Sequence, residues 1–158
     1  MTQTAPEIGK AAPAFRLPAS DGTELALKDM KGRKVVLFFY PQDETPTCTQ
    51  EACEFRDAYA VFAEEDTVVI GISPDSVASH EKFIRNQQLN YILLADEQLK
   101  VCKKYDVWKM KKLYGREYMG VVRSTFLIDR KGRLAAEWRN IRIKGHVDKV
   151  LEAARKLK

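Results

Sequence analysis

The 158-residue chain has no long apolar run. Its longest stretch free of charge, residues 86–95, is ten residues, about half of what a helix needs to cross a bilayer. The opening residues have neither a basic start nor an apolar block, so no secretory signal is legible and the cytoplasm is the expected compartment. Glycine and proline are sparse, 8 and 6 residues, which excludes collagen-like and low-complexity chains. Neither G-x-G-x-x-G nor G-x-x-x-x-G-K-[ST] occurs, so no dinucleotide or nucleotide cofactor is expected. Histidine occurs only twice, and His80 and His146 stand alone in the sequence. They cannot complete a C-x₂₋₄-C…H-x₃₋₅-H set, so no metal is expected and both are assigned to the surface. Cysteine is scarce as well: Cys48, Cys53 and Cys102 cannot all pair within one chain. In a reducing compartment such thiols are free or catalytic rather than structural staples.

At 18.1 kDa, with 45% hydrophobic and 31% charged residues, the chain suits one globular domain spanning 1–158. The 27 basic residues exceed the 22 acidic ones by five, with both signs interspersed, which reads as a solvated surface. The one locally basic run contains Lys103, Lys104, Lys109, Lys111, Lys112 and Arg116, with Tyr105, Trp108 and Tyr114 between them. A single-strand nucleic-acid surface would interleave charge and aromatics in this way. A solvated loop whose aromatics pack on the domain is the preferred reading, so neither nucleic acid nor membrane is an expected partner.

Periodicity orders the elements. Phe15–Leu17 and Thr23–Leu27, with a turn at Ser20-Asp21-Gly22, read as an N-terminal β-hairpin. Residues 35–40 and 67–73 are continuous β-branched and aromatic runs, as buried strands require. Between them Ala52, Phe55, Tyr59 and Phe62 make one stripe of a helix. A helix over 76–88, a short strand at 92–94 and a short helix over 98–105 follow. Residues 121–128 read as one strand, turned by Asp129–Gly132 into a partner over 133–138. Val147, Val150, Leu151, Ala154 and Leu157 give a closing amphipathic helix. This order predicts an α/β, three-layer sandwich with a central mixed β-sheet, the arrangement of thioredoxin-like folds.

The informative stretch runs from Tyr40 to Cys53. Thr45 is a good N-cap and Pro46 suits the first helical position, which puts Cys48 third in the helix. There the unpaired N–H groups and the positive end of the helix dipole favour an anion, and the thiolate is the reactive form of cysteine. An ordinary thiol with pKa about 8.5 is only about 3% ionised at pH 7, and lowering it by two units takes about 2.7 kcal/mol. A helix start supplies about 0.3–1 kcal/mol, or about 2 when partly buried, so a further cation is wanted. Arg123 interrupts an apolar strand and is the best candidate. On period-two counting it shares a face with Val121, Thr125 and Leu127; the other reading is an arginine that snorkels to solvent.

Cys53 lies five residues beyond Cys48, about 8–9 Å along a regular helix, too far for a disulfide, which needs Cα atoms within about 7 Å. The two sulfurs can bond only if the first turns unwind. Otherwise Cys53 is a small buried hydrophobe, and Cys102 reads as a buried structural thiol.

Pro41-x-x-x-Thr45-x-x-Cys48 resembles the active-site signature of the peroxiredoxins, and the four-residue gap to Cys53 resembles the Q subfamily, also called bacterioferritin comigratory protein. Residues 9–15, 114–120 and 121–129 agree in order and spacing, so the likeness covers nearly the whole chain. Thr47 departs from it, since glycine is common there in the subfamily. The resemblance implies a metal-free and haem-free thiol peroxidase on a thioredoxin-like fold, monomeric in most of the subfamily. Cys48 would attack the hydroperoxide and become a sulfenic acid. Cys53 would resolve it to an intramolecular disulfide, which thioredoxin or a similar dithiol would reduce. Thr45 would bond the peroxide or the thiolate, Arg123 would hold both, and Pro41 would shield the sulfur from water. In some members the resolving cysteine lies on another helix, a place Cys102 could fill.

Overall fold

The computed structural model describes residues 5–158. Its strands and helices follow in the order β1 (Arg16–Pro18), β2 (Glu24–Ala26), a 3₁₀ turn (Leu27–Met30), β3 (Lys34–Phe39), α1 (Pro46–Glu64), β4 (Thr67–Ser73), α2 (Val77–Gln87), β5 (Ile92–Ala95), α3 (Lys100–Lys104), β6 (Trp108–Leu113), β7 (Arg116–Val121), β8 (Ser124–Ile128), β9 (Leu134–Arg139) and α4 (His146–Lys156). The apolar runs become the centre of a five-stranded sheet ordered β5-β4-β3-β8-β9. Strands β3, β4 and β5 are parallel, whereas β8 and β9 join antiparallel, so the sheet is mixed. The expected N-terminal hairpin is β1 paired with β2.

Alternation along β3 splits the core in two. Val35, Leu37 and Phe39 face a layer built from the N-terminal segment and α3, with Leu17, Met30, Val101 and Cys102 among the buried side chains. Val36, Phe38 and Tyr40 face α1, α2 and α4. The fully buried Phe38 ring stacks on Phe55 of α1 with centroids 4.6 Å apart. It crosses Gly71 of β4, where a Cβ would come within 2.7 Å of both Phe38 and Leu93. A glycine inside a buried strand is costly by propensity, but here it makes room for the ring that seats α1 on the sheet.

Three expectations are corrected. The single strand over 121–128 is two: β7 ends at Val121, β8 begins at Ser124, and Val122 and Arg123 form the break. The Lys103–Arg116 run, read as a solvated loop, instead carries β6 and the start of β7, an antiparallel hairpin with Met110 opposite Met119. Its two-residue turn, Tyr114 and Gly115, has φ of 51° and 77°, the left-handed pair a tight hairpin needs. Both histidines are buried rather than at the surface, because each has a hydrogen-bonding partner far off in sequence. His80 is fully buried, with Nδ1 2.7 Å from Asp43 Oδ2 and Nε2 2.9 Å from the Leu94 carbonyl. His146 opens α4, its Nε2 2.8 Å from Thr125 Oγ1.

Candidate active site

Helix α1 begins at Pro46 with Thr45 at the N-cap, so Cys48 lies in the first turn, buried at 2% exposure. The Thr45 side chain makes no cap bond; its hydroxyl donates to the Gln42 carbonyl at 3.2 Å. The first-turn N–H groups, which have no intrahelical acceptor, therefore keep clear of that oxygen. Pro41 begins the bend after β3 and is half-buried.

The bend is fixed from below. Asp43 Oδ1 accepts from the Tyr40 hydroxyl at 2.6 Å, and Oδ2 accepts from Ser79 Oγ at 2.8 Å beside the His80 ring. The Asp43 amide donates to Asp75 Oδ2 at 2.8 Å, an oxygen that also accepts from Ser73 Oγ at 2.6 Å. Among the described residues, Asp43, Asp75 and His80 place ligand-type atoms within 4.8 Å of one another. Those atoms are already engaged in this network, which ties the Pro41–Thr45 segment to β4 and α2.

Arg123 reaches the site from the break between β7 and β8. Leaving the ladder there frees its side chain to turn toward α1, where Nη2 donates to Cys48 Sγ at 3.2 Å and Nη1 to Glu51 Oε1 at 2.6 Å. Glu51 is fully buried, and Oε2 has no hydrogen-bond partner among the described residues. Burial pushes its carboxyl up to about 7, against the pull of Arg123. Burial alone would lower the Arg123 guanidinium, but Glu51 and Cys48 outweigh it and raise it. Lys111 supplies a second nearby cation. Its Nζ donates to the Val121 carbonyl at 3.0 Å, and its stem crosses Gly120, where a Cβ would lie 2.9 Å from Lys111 Cδ. Burial and Arg123 lower the Lys111 ammonium while Cys48 pulls it the other way. The arrangement can stabilise a sulfur anion and align a polar oxidant against it.

The other cysteines are placed differently. Cys53 is half-buried on α1, its thiol 3.6 Å from Gln87 Oε1. Cys102 is buried in the core on the opposite face of the sheet from Cys48. Burial and Asp96 push the Cys102 thiol well up, and its amide donates to Asp96 Oδ2 at 2.7 Å. The structure does not bring Cys102 to the site.

Comparison with known proteins matches residues 8–137 to the AhpC/TSA family. The chain belongs to that family. It is 51% identical over 146 residues to peroxiredoxin Bcp of Bacillus subtilis, covering 92% of this chain and 93% of that one. It is 36% identical over 153 residues to peroxiredoxin Bcp of Xanthomonas campestris, covering 97% and 96%. Among solved structures, a cysteine-to-serine variant of PrxQ from Xylella fastidiosa superposes with a TM-score of 0.89 at 34% identity, covering 94% of this chain and 95% of that one. Peroxiredoxin Q of Xanthomonas campestris superposes at 0.85 with 36% identity, covering 89% of each chain. As a Bcp/PrxQ peroxiredoxin the protein has a thioredoxin-like fold and is a thiol peroxidase.

Sequence reasoning missed two residues that the structure brings to this candidate site. Glu51 reads in sequence as an ordinary helix carboxylate, although its spacing of three from Cys48 puts it on the same face. Lys111 was one of a basic run, and only the hairpin register turns it toward Arg123.

Proposed function

We propose that Cys48 is the sulfur that attacks the hydroperoxide and that Cys53 resolves the product. The observation carrying this reading is the Arg123 guanidinium 3.2 Å from the buried first-turn sulfur. The thiolate attacks one peroxide oxygen as the O–O bond breaks, giving Cys48 sulfenic acid and releasing water or an alcohol. Arg123 and the first-turn N–H groups hold the charge that moves from sulfur to the leaving oxygen. Thr45, half-buried beside this turn, turns its hydroxyl from the Gln42 carbonyl to the peroxide, and Pro41 limits water at the sulfur. Hydrogen peroxide and organic hydroperoxides are both substrates in this reading. A solved relative, the bacterioferritin comigratory protein of Xanthomonas campestris, has alkyl peroxide reduction activity.

Resolution needs the start of α1 to unwind, because Cys48 and Cys53 sit about 8–9 Å apart on a regular helix. Ties to the rest of the protein suggest where unwinding stops. The Ala52 carbonyl accepts from the Tyr91 hydroxyl at 2.6 Å, and Arg56 donates to the Gln87 carbonyl at 2.6 Å. Residues 46–51 unwind on this reading, while Ala52 and beyond stay seated. A thioredoxin-type dithiol then reduces the disulfide by exchange, and the protein works as a monomeric, single-domain enzyme of the cytoplasm without a cofactor.

The test is peroxide consumption coupled to thioredoxin and its reductase. Cys48→Ser loses turnover, because an alcohol stays protonated at neutral pH; retained turnover would remove Cys48 from its role. Cys53→Ser consumes about one equivalent of peroxide per chain and stalls, open to over-oxidation. Normal cycling by that variant would mean that another thiol resolves.

A further inference from the structure

Arg123 is a single guanidinium holding two acidic groups, the Cys48 sulfur at 3.2 Å and the Glu51 carboxylate at 2.6 Å. Were both anionic, the pocket would hold two negative charges against one close cation, and one of them would sit on a fully buried carboxylate whose Oε2 has no partner among the described residues. Such an arrangement is costly in a medium of low dielectric. A proton on Glu51 removes the excess and leaves the thiolate as the sole anionic partner of Arg123. Oxidation reverses the balance: the sulfenic acid is neutral, and Arg123 again has room for a carboxylate.

We propose that Glu51 is the proton store of the peroxide reaction, protonated while Cys48 is a thiolate and ionised once Cys48 is a sulfenic acid. The inference rests on the reading of Cys48 as the attacking sulfur. The step balances: the S–O bond forms, the O–O bond breaks with its electron pair leaving on the distal oxygen, and the proton that neutralises this oxygen is the one Glu51 loses. One thiolate, one carboxylic acid and one hydroperoxide become one sulfenic acid, one carboxylate and one water or alcohol. The site carries one negative charge before and after.

The groups facing Glu51 agree with this assignment. On α1, Glu54 favours its protonated form and a thiolate at Cys48 acts in the same sense, while from the β7–β8 break Arg123 favours the ionised form. Tyr91, its hydroxyl on the Ala52 carbonyl, stays neutral because burial, with Glu51 and Cys53 adding to it, raises its phenol well above the usual range. Lys111 sits within the field of Arg123 and Cys48. His146 on α4 is lowered to about 4 by burial, Lys149 and Arg123, so it is neutral near pH 7. Burial carries the Glu51 carboxyl up to about 7, and a neighbouring thiolate moves it higher.

The experiment measures proton uptake from a weakly buffered indicator solution when the reduced Cys53→Ser protein meets one equivalent of hydrogen peroxide. Thiolate absorbance and mass labelling of the sulfenic acid are read on the same sample. At about pH 6 Glu51 keeps its proton throughout and the leaving oxygen draws about one proton per sulfur from solvent. At about pH 8 the oxidised form gives its proton up, and uptake falls below about one half. With Glu51→Gln added, which keeps an acceptor for Arg123 but holds no store, uptake stays near one across the range. Uptake that is flat with pH in the Glu51-containing protein overturns the proposal, whether or not the glutamine variant folds. Failure to form any sulfenic acid at Cys48 instead overturns the reading beneath it.

Discussion

Replacing Arg123 with Met leaves a side chain of similar reach without the guanidinium. It deletes the 3.2 Å donor to Cys48 Sγ and the 2.6 Å donor to Glu51 in one step. A hydrogen bond to a charged group is worth about 1.5–3 kcal/mol net, and each 1.36 kcal/mol is about a factor of ten in rate or equilibrium. Loss of the sulfur contact alone therefore slows peroxide attack roughly 10- to 150-fold at neutral pH. The helix start, with its contribution of about 0.3–2 kcal/mol, and Lys111 remain and keep the rate above that of a free thiol. Stopped-flow oxidation by hydrogen peroxide, followed by tryptophan fluorescence, measures the second-order constant against pH. The deficit narrows toward alkaline pH, where solvent ionises the thiol without help, and the residue is the part Arg123 spends on aligning the peroxide. Arg123→Lys recovers only part of the loss, since one ammonium cannot reproduce the guanidinium fork. A Met variant that reacts within about twofold of the unmutated protein at neutral pH would refute the electrostatic reasoning.

Two further outcomes follow from the core around the site. His146 is buried and lowered from 6.5 to about 4, so its stabilising neutral form is fully present above about pH 6.5 and is lost as pH falls toward 4. Between about pH 7.5 and 5 the folded state loses about 2 kcal/mol from this group alone; urea titrations should show that loss shrinking in His146→Gln, and an identical loss would contradict it. Gly71→Ala drives a methyl to 2.7 Å from Phe38 and Leu93. Overpacking of this kind costs about 1–3 kcal/mol, and an unchanged urea midpoint would show that the Phe38–Phe55 stack gives way freely.

What could be read in the sequence was whatever is written locally. Thr45-Pro46 marks the helix start within two residues of Cys48, and the runs in β3 and β4 are continuous because both faces of those strands are covered. The break at Val122-Arg123 was not legible, since an apolar run of that composition fits one strand as well as two. The hairpin β6–β7 was hidden by its lysines, and its apolar side chains remain outside: Met110 is 59% exposed and Met119 45%. His80, His146 and Glu51 owe their burial to Asp43, Leu94, Thr125 and Arg123. Those partners lie 14 to 72 residues away in the chain, beyond the reach of any periodic signal.

Peptide mass mapping of the reduced protein after one equivalent of hydrogen peroxide tests the centre of this account. The sulfur held by Arg123 should be consumed first, so that Cys48 and Cys53 are recovered linked to each other and Cys102 remains a thiol. Recovery of Cys48 as an untouched thiol, with oxygen or a disulfide on either of the others, would contradict it.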